Sequence, residues 1–210
     1  MTDQLITAFV TLFVIIDPIG LAPIFVALTA GMAPKARRKV ALRAVLLAFG
    51  LLLLFGLAGR SLLDAIGIGM PAFRISGGAL LFLIAVEMLF ERRSKRRSQQ
   101  AEEAEADHGP GVDDPSVFPL ALPLLAGPGA LATIILLMEE SSGNPAEQAM
   151  MMAVAAIVLL IAYILFMSAG LIERVLGRTG INVITRVLGV LLAALSVQFI
   201  IDGLRDIGVL

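Results

Sequence analysis

Asp17 is the residue in this chain with most chemistry to offer, because it stands in the middle of an apolar run. The surrounding sequence is Phe13-Val14-Ile15-Ile16-Asp17-Pro18-Ile19-Gly20-Leu21-Ala22-Pro23, within an apolar stretch from 5 to 28. About 20 apolar residues cross a bilayer, and an ionisable side chain at that depth is costly enough to mark a functional site. Each proline removes an intrahelical hydrogen bond, freeing the carbonyls of Val14 and Ile19, and Pro18 disfavours helical dihedrals at Asp17. A second broken stretch carries Pro119 and Pro123, then Gly127-Pro128-Gly129 and Thr133. Freed carbonyls and a carboxylate suit an ammonium or a small cation. Half-helix N-termini suit a carboxylate, and glycines let the backbone approach closely. Together they describe a small pocket for a zwitterion such as a small amino acid, with Asp17, Pro18, Gly20, Pro23, Gly127, Pro128, Gly129 and Thr133 as its candidate substrate-binding residues. For a single isolated break the plainer reading is a packing kink.

The elements that must position these residues are membrane-spanning helices. Hydrophobic residues make up 59% of the 210 residues and charged residues 16%, against about 45–50% and about 25% in soluble domains. Apolar stretches recur at 5–28, 41–59, 71–90, 117–138, 148–170 and 182–201. They are continuous rather than alternating, which predicts helices over barrel strands. The first stretch lacks a basic leader and contains Asp-Pro, so it reads as a retained span. Lys35, Arg37, Arg38, Lys39 and Arg43 follow the first span, residues 92–97 hold five basic side chains after the third, and Arg174 and Arg178 follow the fifth. This bias predicts both termini outside a plasma (inner) membrane, with residues 92–97 in the cytoplasm.

The two halves resemble each other. Asp17-Pro18-Ile19-Gly20-Leu21-Ala22-Pro23-Ile24 aligns with Gly127-Pro128-Gly129-Ala130-Leu131-Ala132-Thr133-Ile134, and Arg74-x-x-Gly77 with Arg186-x-x-Gly189. Three spans per copy predict an all-α fold of two inverted three-helix repeats, residues 1–90 and 116–210, with helices 1 and 4 broken near the midplane. Inverted repeats with paired broken helices are a signature of secondary transporters. Arg74 and Arg186 near helix ends read as snorkelling cations or a symmetric clamp. Glu87 reads as interfacial or as a proton or cation coupling site. Ser76, Thr133, Tyr163, Ser168, Ser196 and Gln198 are pocket-lining or interhelical contacts.

Residues 91–115 form a cytoplasmic charged linker, basic then acidic, whose composition predicts a solvated, disordered segment. Neutralising residues 92–97 is therefore expected to leave transport intact. His108 in its acidic part has no partners for a metal site. Without cysteine, a membrane histidine or a membrane lysine, and with Asp17 the sole mid-depth acid, an intramembrane protease or dithiol relay has no residues to use. No enzyme activity, cofactor or metal is expected. An aromatic content of 6% favours a small solute over the large aromatic-lined cavity of drug efflux. The alternatives are a carrier of a cation, using Asp17, Glu87 and freed carbonyls, or of another small solute, and a membrane protein with no transport activity.

At Asp17-Pro18-x-Gly20-x-x-Pro23 and Pro119-Leu120-Ala121-x-Pro123-x-x-Ala126-Gly127-Pro128-Gly129 the chain resembles the MarC family of bacterial and archaeal membrane proteins, over essentially its whole length. The resemblance implies six spans and, by analogy with members classed as carriers of glycine and alanine, a secondary transporter of a small neutral amino acid working by alternating access. Relatedness to exporters of the LysE type would favour export. The expected partners are the lipid bilayer, a small-molecule substrate and a coupling proton or sodium ion, with no nucleic acid; no oligomeric state follows from the sequence.

Overall fold

The computed structural model describes residues 2–107 and 115–209; His108 lies outside them. The described residues are mostly helical: α1 (Thr2–Ile16), α2 (Pro18–Leu28), α3 (Pro34–Ala65), α4 (Met70–Leu89), α5 (Arg92–Asp107), α6 (Pro128–Glu140), α7 (Pro145–Met167) and α8 (Ala169–Asp206, broken at Gly177), with an irregular coiled segment, Ser116–Leu125, ahead of α6. Proline stands at the first or second position of α2, α3, α4, α6 and α7. There its fixed φ fits the helix and its missing N–H loses no bond, so these prolines start helices rather than breaking them.

Among the described residues, five helical stretches are long and apolar enough to span a membrane: 4–28, 34–65, 70–89, 145–167 and 179–206. Ser116–Leu125 and Pro128–Glu140 make a sixth if the 58° bend between them lies within one span. These match the six expected stretches. Outward-facing leucines such as Leu46, Leu54, Leu57 and Leu160 are exposed, a surface that lipid solvates and water would not. The protein is an all-α integral membrane protein.

The core gathers around α1 and α2. Leu12, Ile16, Leu21 and Phe25 are fully buried, and the Phe25 ring stacks on Phe166 of α7 at 4.6 Å between centroids. The longest packed seam runs between α4 and α8, which lie antiparallel. A Cβ on Gly78 would stand 2.7 Å from the Ser196 carbonyl oxygen, and one on Gly189 would stand 2.9 Å from Met88 Cβ. Small residues therefore let the two backbones touch. Ion pairs close both ends of the seam: Arg74 to Asp206 at 2.6 Å and Arg186 to Glu91 at 2.7 Å. Of the two roles considered for Arg74 and Arg186, their contacts fit the clamp.

Candidate functional site

The first span breaks at one residue. Asp17 takes left-handed dihedrals, φ 53° and ψ 62°, between α1 and α2, a conformation that Asp tolerates better than most residues. Its N–H still donates to the Phe13 carbonyl at 2.9 Å, and its Oδ1 accepts from Gly20 N–H at 3.1 Å. The carboxylate thus caps α2. Gly20 is required there, because a Cβ would collide with the Asp17 carboxylate.

The segment expected to be a solvated, disordered linker contributes to this break instead. Its first part forms α5, which packs on α4, α2 and the irregular segment. Arg93 and Arg97 are each only 6% exposed. Arg97 donates to Asp17 Oδ2 and to the Ile16 carbonyl, both at 3.2 Å. Arg93 donates to the Ile15 carbonyl and, at 2.9 Å, to Met88 Sδ. Arg96 reaches Glu87 at 2.5 Å. The physical reason is stoichiometric: a break in a buried helix leaves carbonyls and a carboxylate needing donors, and a guanidinium brings five. Burial, reinforced by the neighbouring Arg97, pulls Arg93 down to about 9. It stays charged at neutral pH.

A cavity of about 150 Å³ opens beside this contact. Arg93, Arg96, Arg97 and Gln100 of α5 line it together with the second break, Pro123 to Leu125 and Gly127 to Ala130, and with Ile15 and Ile84. Phe118-Pro119 and Leu122-Pro123 are cis, and the chain reaches this break as an irregular coil. Gly127 stands at the N-cap of α6 and offers no side-chain cap. The first intrahelical bond is donated by Leu131 to Gly127, so the Gly129 and Ala130 N–H groups precede it and belong to the helix's partial positive end. The two N-termini therefore differ: α2 is closed by its own aspartate, whereas α6 is open toward the cavity.

The family model for the "MarC family integral membrane protein" matches residues 2–208. The chain belongs to the MarC family. Among its relatives, a "UPF0056 membrane protein" of Aquifex aeolicus is 37% identical over 96% of this chain and 92% of its own length. One of Archaeoglobus fulgidus is 37% identical over 95% and 91%. The "UPF0056 inner membrane protein YhgN" of Escherichia coli is 33% identical over 97% of each chain. No solved structure matches.

In this MarC family member the expected site divides. Gly127, Pro128 and Gly129 line the cavity, whereas Asp17, Pro18, Gly20, Pro23 and Thr133 do not. Asp17 is not available to a solute ammonium as expected, because Arg97 stands on its carboxylate. Thr133 is fully buried in α6, and its hydroxyl has no partner among the described residues. Ser76, Ser168 and Ser196 bond carbonyls of their own helices, and Gln198 bonds Asp202 one turn on; none lines the cavity. The residues that sequence reasoning missed are Arg93, Arg96, Arg97 and Gln100. Their spacing of three, four and seven is one helical face, a signal legible in the basic cluster but masked by the overall charge of the segment.

Proposed function

We propose that this protein is a secondary transporter of a small solute, a small neutral amino acid such as glycine or alanine, by alternating access through the cavity between its two breaks. The observation that carries the reading is the cavity itself: small, glycine-walled, and bounded by an open helix N-terminus suited to a carboxylate. Broken backbone inside a membrane protein persists where it lines a cavity or is buried in protein, and here the second break does the former. Gly127, Pro128 and Gly129 form the binding wall, while Asp17 acts through Arg97. The arginine lining argues against the cation-carrier alternative, since a cation would meet three guanidinium groups. Glu87 is the candidate coupling group: Arg96 holds its Oε1, and its Oε2 is buried without a partner among the described residues. The lysine and arginine bias puts both termini outside and α5 at the cytoplasmic side.

The test is uptake into liposomes. Labelled glycine and alanine should accumulate under an imposed proton or sodium gradient, and Gly129→Leu, whose Cβ already meets Ile84 Cδ1 at 2.7 Å, should abolish it. Absence of uptake of either amino acid, in both membrane orientations and under both gradients, would overturn the reading.

A further inference from the structure

Among the described residues, the ionic groups around the cavity do not balance. Arg93, Arg96 and Arg97 line it, and two carboxylates answer them: Glu87 on Arg96 at 2.5 Å and Asp17 on Arg97 at 3.2 Å. Arg93 hydrogen-bonds the Ile15 carbonyl and the Met88 thioether; Asp17 and Glu87, each held by another arginine, act on it only through space, and no carboxylate lies within ion-pair distance of it among the described residues. A cation that is 6% exposed is strongly disfavoured unless a counter-charge accompanies it. The second break adds the uncapped α6 N-terminus, with Gly129 and Ala130 N–H groups beside the same space. Two independent sources of positive potential thus face one small, partly open volume. Of the two acids, Glu87 is held by Arg96 and Asp17 sits behind Arg97, and neither lines the cavity to meet an ammonium.

We propose that the cavity is an anion site that holds the carboxylate of a small monocarboxylic acid against Arg93 and the α6 N-terminus, and that the bound molecule needs no ammonium group. One guanidinium in excess of the two carboxylates selects a monoanion over a dianion. Its planar fork matches a carboxylate in two parallel hydrogen bonds, and Ile15, Ile84 and Leu124 on the lining accept a short alkyl chain. This deepens the carrier reading, on which it rests only for the bound acid being cargo.

The full-length protein in detergent is titrated calorimetrically with glycine, propionate, methylammonium and inorganic phosphate. Glycine and propionate should bind with affinities within about tenfold of each other and phosphate at least about tenfold more weakly, the scale of one charge-assisted contact. Methylammonium should not bind. Arg93→Gln should weaken both carboxylates about tenfold or more, with Arg93→Lys recovering part. Gln100→Glu should weaken them similarly with Arg93 retained, by supplying a carboxylate from the cavity's own wall. Gel filtration reports folding, and if Arg93→Gln fails it, Gln100→Glu decides. The proposal is overturned if neither carboxylate binds, if propionate does not bind where glycine does, if phosphate or methylammonium binds as tightly as propionate, or if Gln100→Glu leaves carboxylate affinity unchanged. The same proteins in liposomes separate the two readings. Carboxylate binding without uptake removes the carrier and leaves the anion site; uptake indifferent to Arg93→Gln and Gln100→Glu removes the anion site and leaves the carrier.

Discussion

Asp17→Asn separates the charge of the first break from its shape. Asparagine keeps an oxygen to accept from Gly20 N–H, caps helices about as well as aspartate and tolerates left-handed dihedrals. What disappears is the pairing with Arg97 at 3.2 Å, between side chains 7% and 2% exposed. At an effective dielectric of about 20, Coulomb's law gives about 5 kcal/mol for unit charges at that separation, and removing one partner of a buried pair typically costs about 3–5 kcal/mol. We therefore expect Asp17→Asn to destabilise by about 3 kcal/mol. Asp17→Ala should cost about 2 kcal/mol more, about half from the lost cap and half from left-handed strain. Reversible unfolding in mixed micelles gives the free energies, and a double-mutant cycle with Arg97→Gln isolates the pair. Because two neutral amides leave neither member of the pair as an unopposed buried charge, the double variant should be more stable than the sum of the singles by about 2 kcal/mol. Additive losses, or an Asp17→Asn change below about 0.5 kcal/mol, would mean that Arg97 is solvated in the native protein and that α5 does not seal the break.

Other outcomes follow from packing and charge. Gly78→Ala should cost about 1–3 kcal/mol, because its Cβ would meet the Ser196 carbonyl at 2.7 Å and overpack the α4–α8 seam. Gly50→Ala, in α3 with nothing within 4 Å of its Cβ, should stabilise by about 0.5–1 kcal/mol; equal signs in the two unfolding titrations would refute the seam argument. Thr133→Val removes a buried hydroxyl that has no partner among the described residues and should stabilise by about 1 kcal/mol without slowing uptake, whereas slower uptake would restore Thr133 to the substrate site. A reporter that is active only in the cytoplasm should be silent when fused after Leu210 and active in the α4–α5 connection, and the reverse pattern would invert the assigned topology.

Composition alone determined that this chain enters a membrane, and its six apolar stretches determined where the spans lie, because burying a helix in lipid needs only length and hydrophobicity. Asp17-Pro18 and Gly127-Pro128-Gly129 marked both breaks for a similarly local reason: proline's missing N–H and fixed φ act on the residues beside it. The purpose of Asp17 was not legible. A lone acid among apolar residues reads as a ligand-binding group, and only tertiary structure shows that the protein supplies its own cation, Arg97, from 80 residues along the chain. The same holds for residues 92–97, whose composition fits a solvated linker. The choice between solvent and core was made by the unmet carbonyls of Ile15 and Ile16, which a sequence window around α5 does not contain. Propensity, proline chemistry and hydropathy are read within a few residues; a counter-ion is chosen by whatever the fold brings within about 4 Å, and in this chain that choice set Arg97 on the carboxylate expected to meet a zwitterion's ammonium.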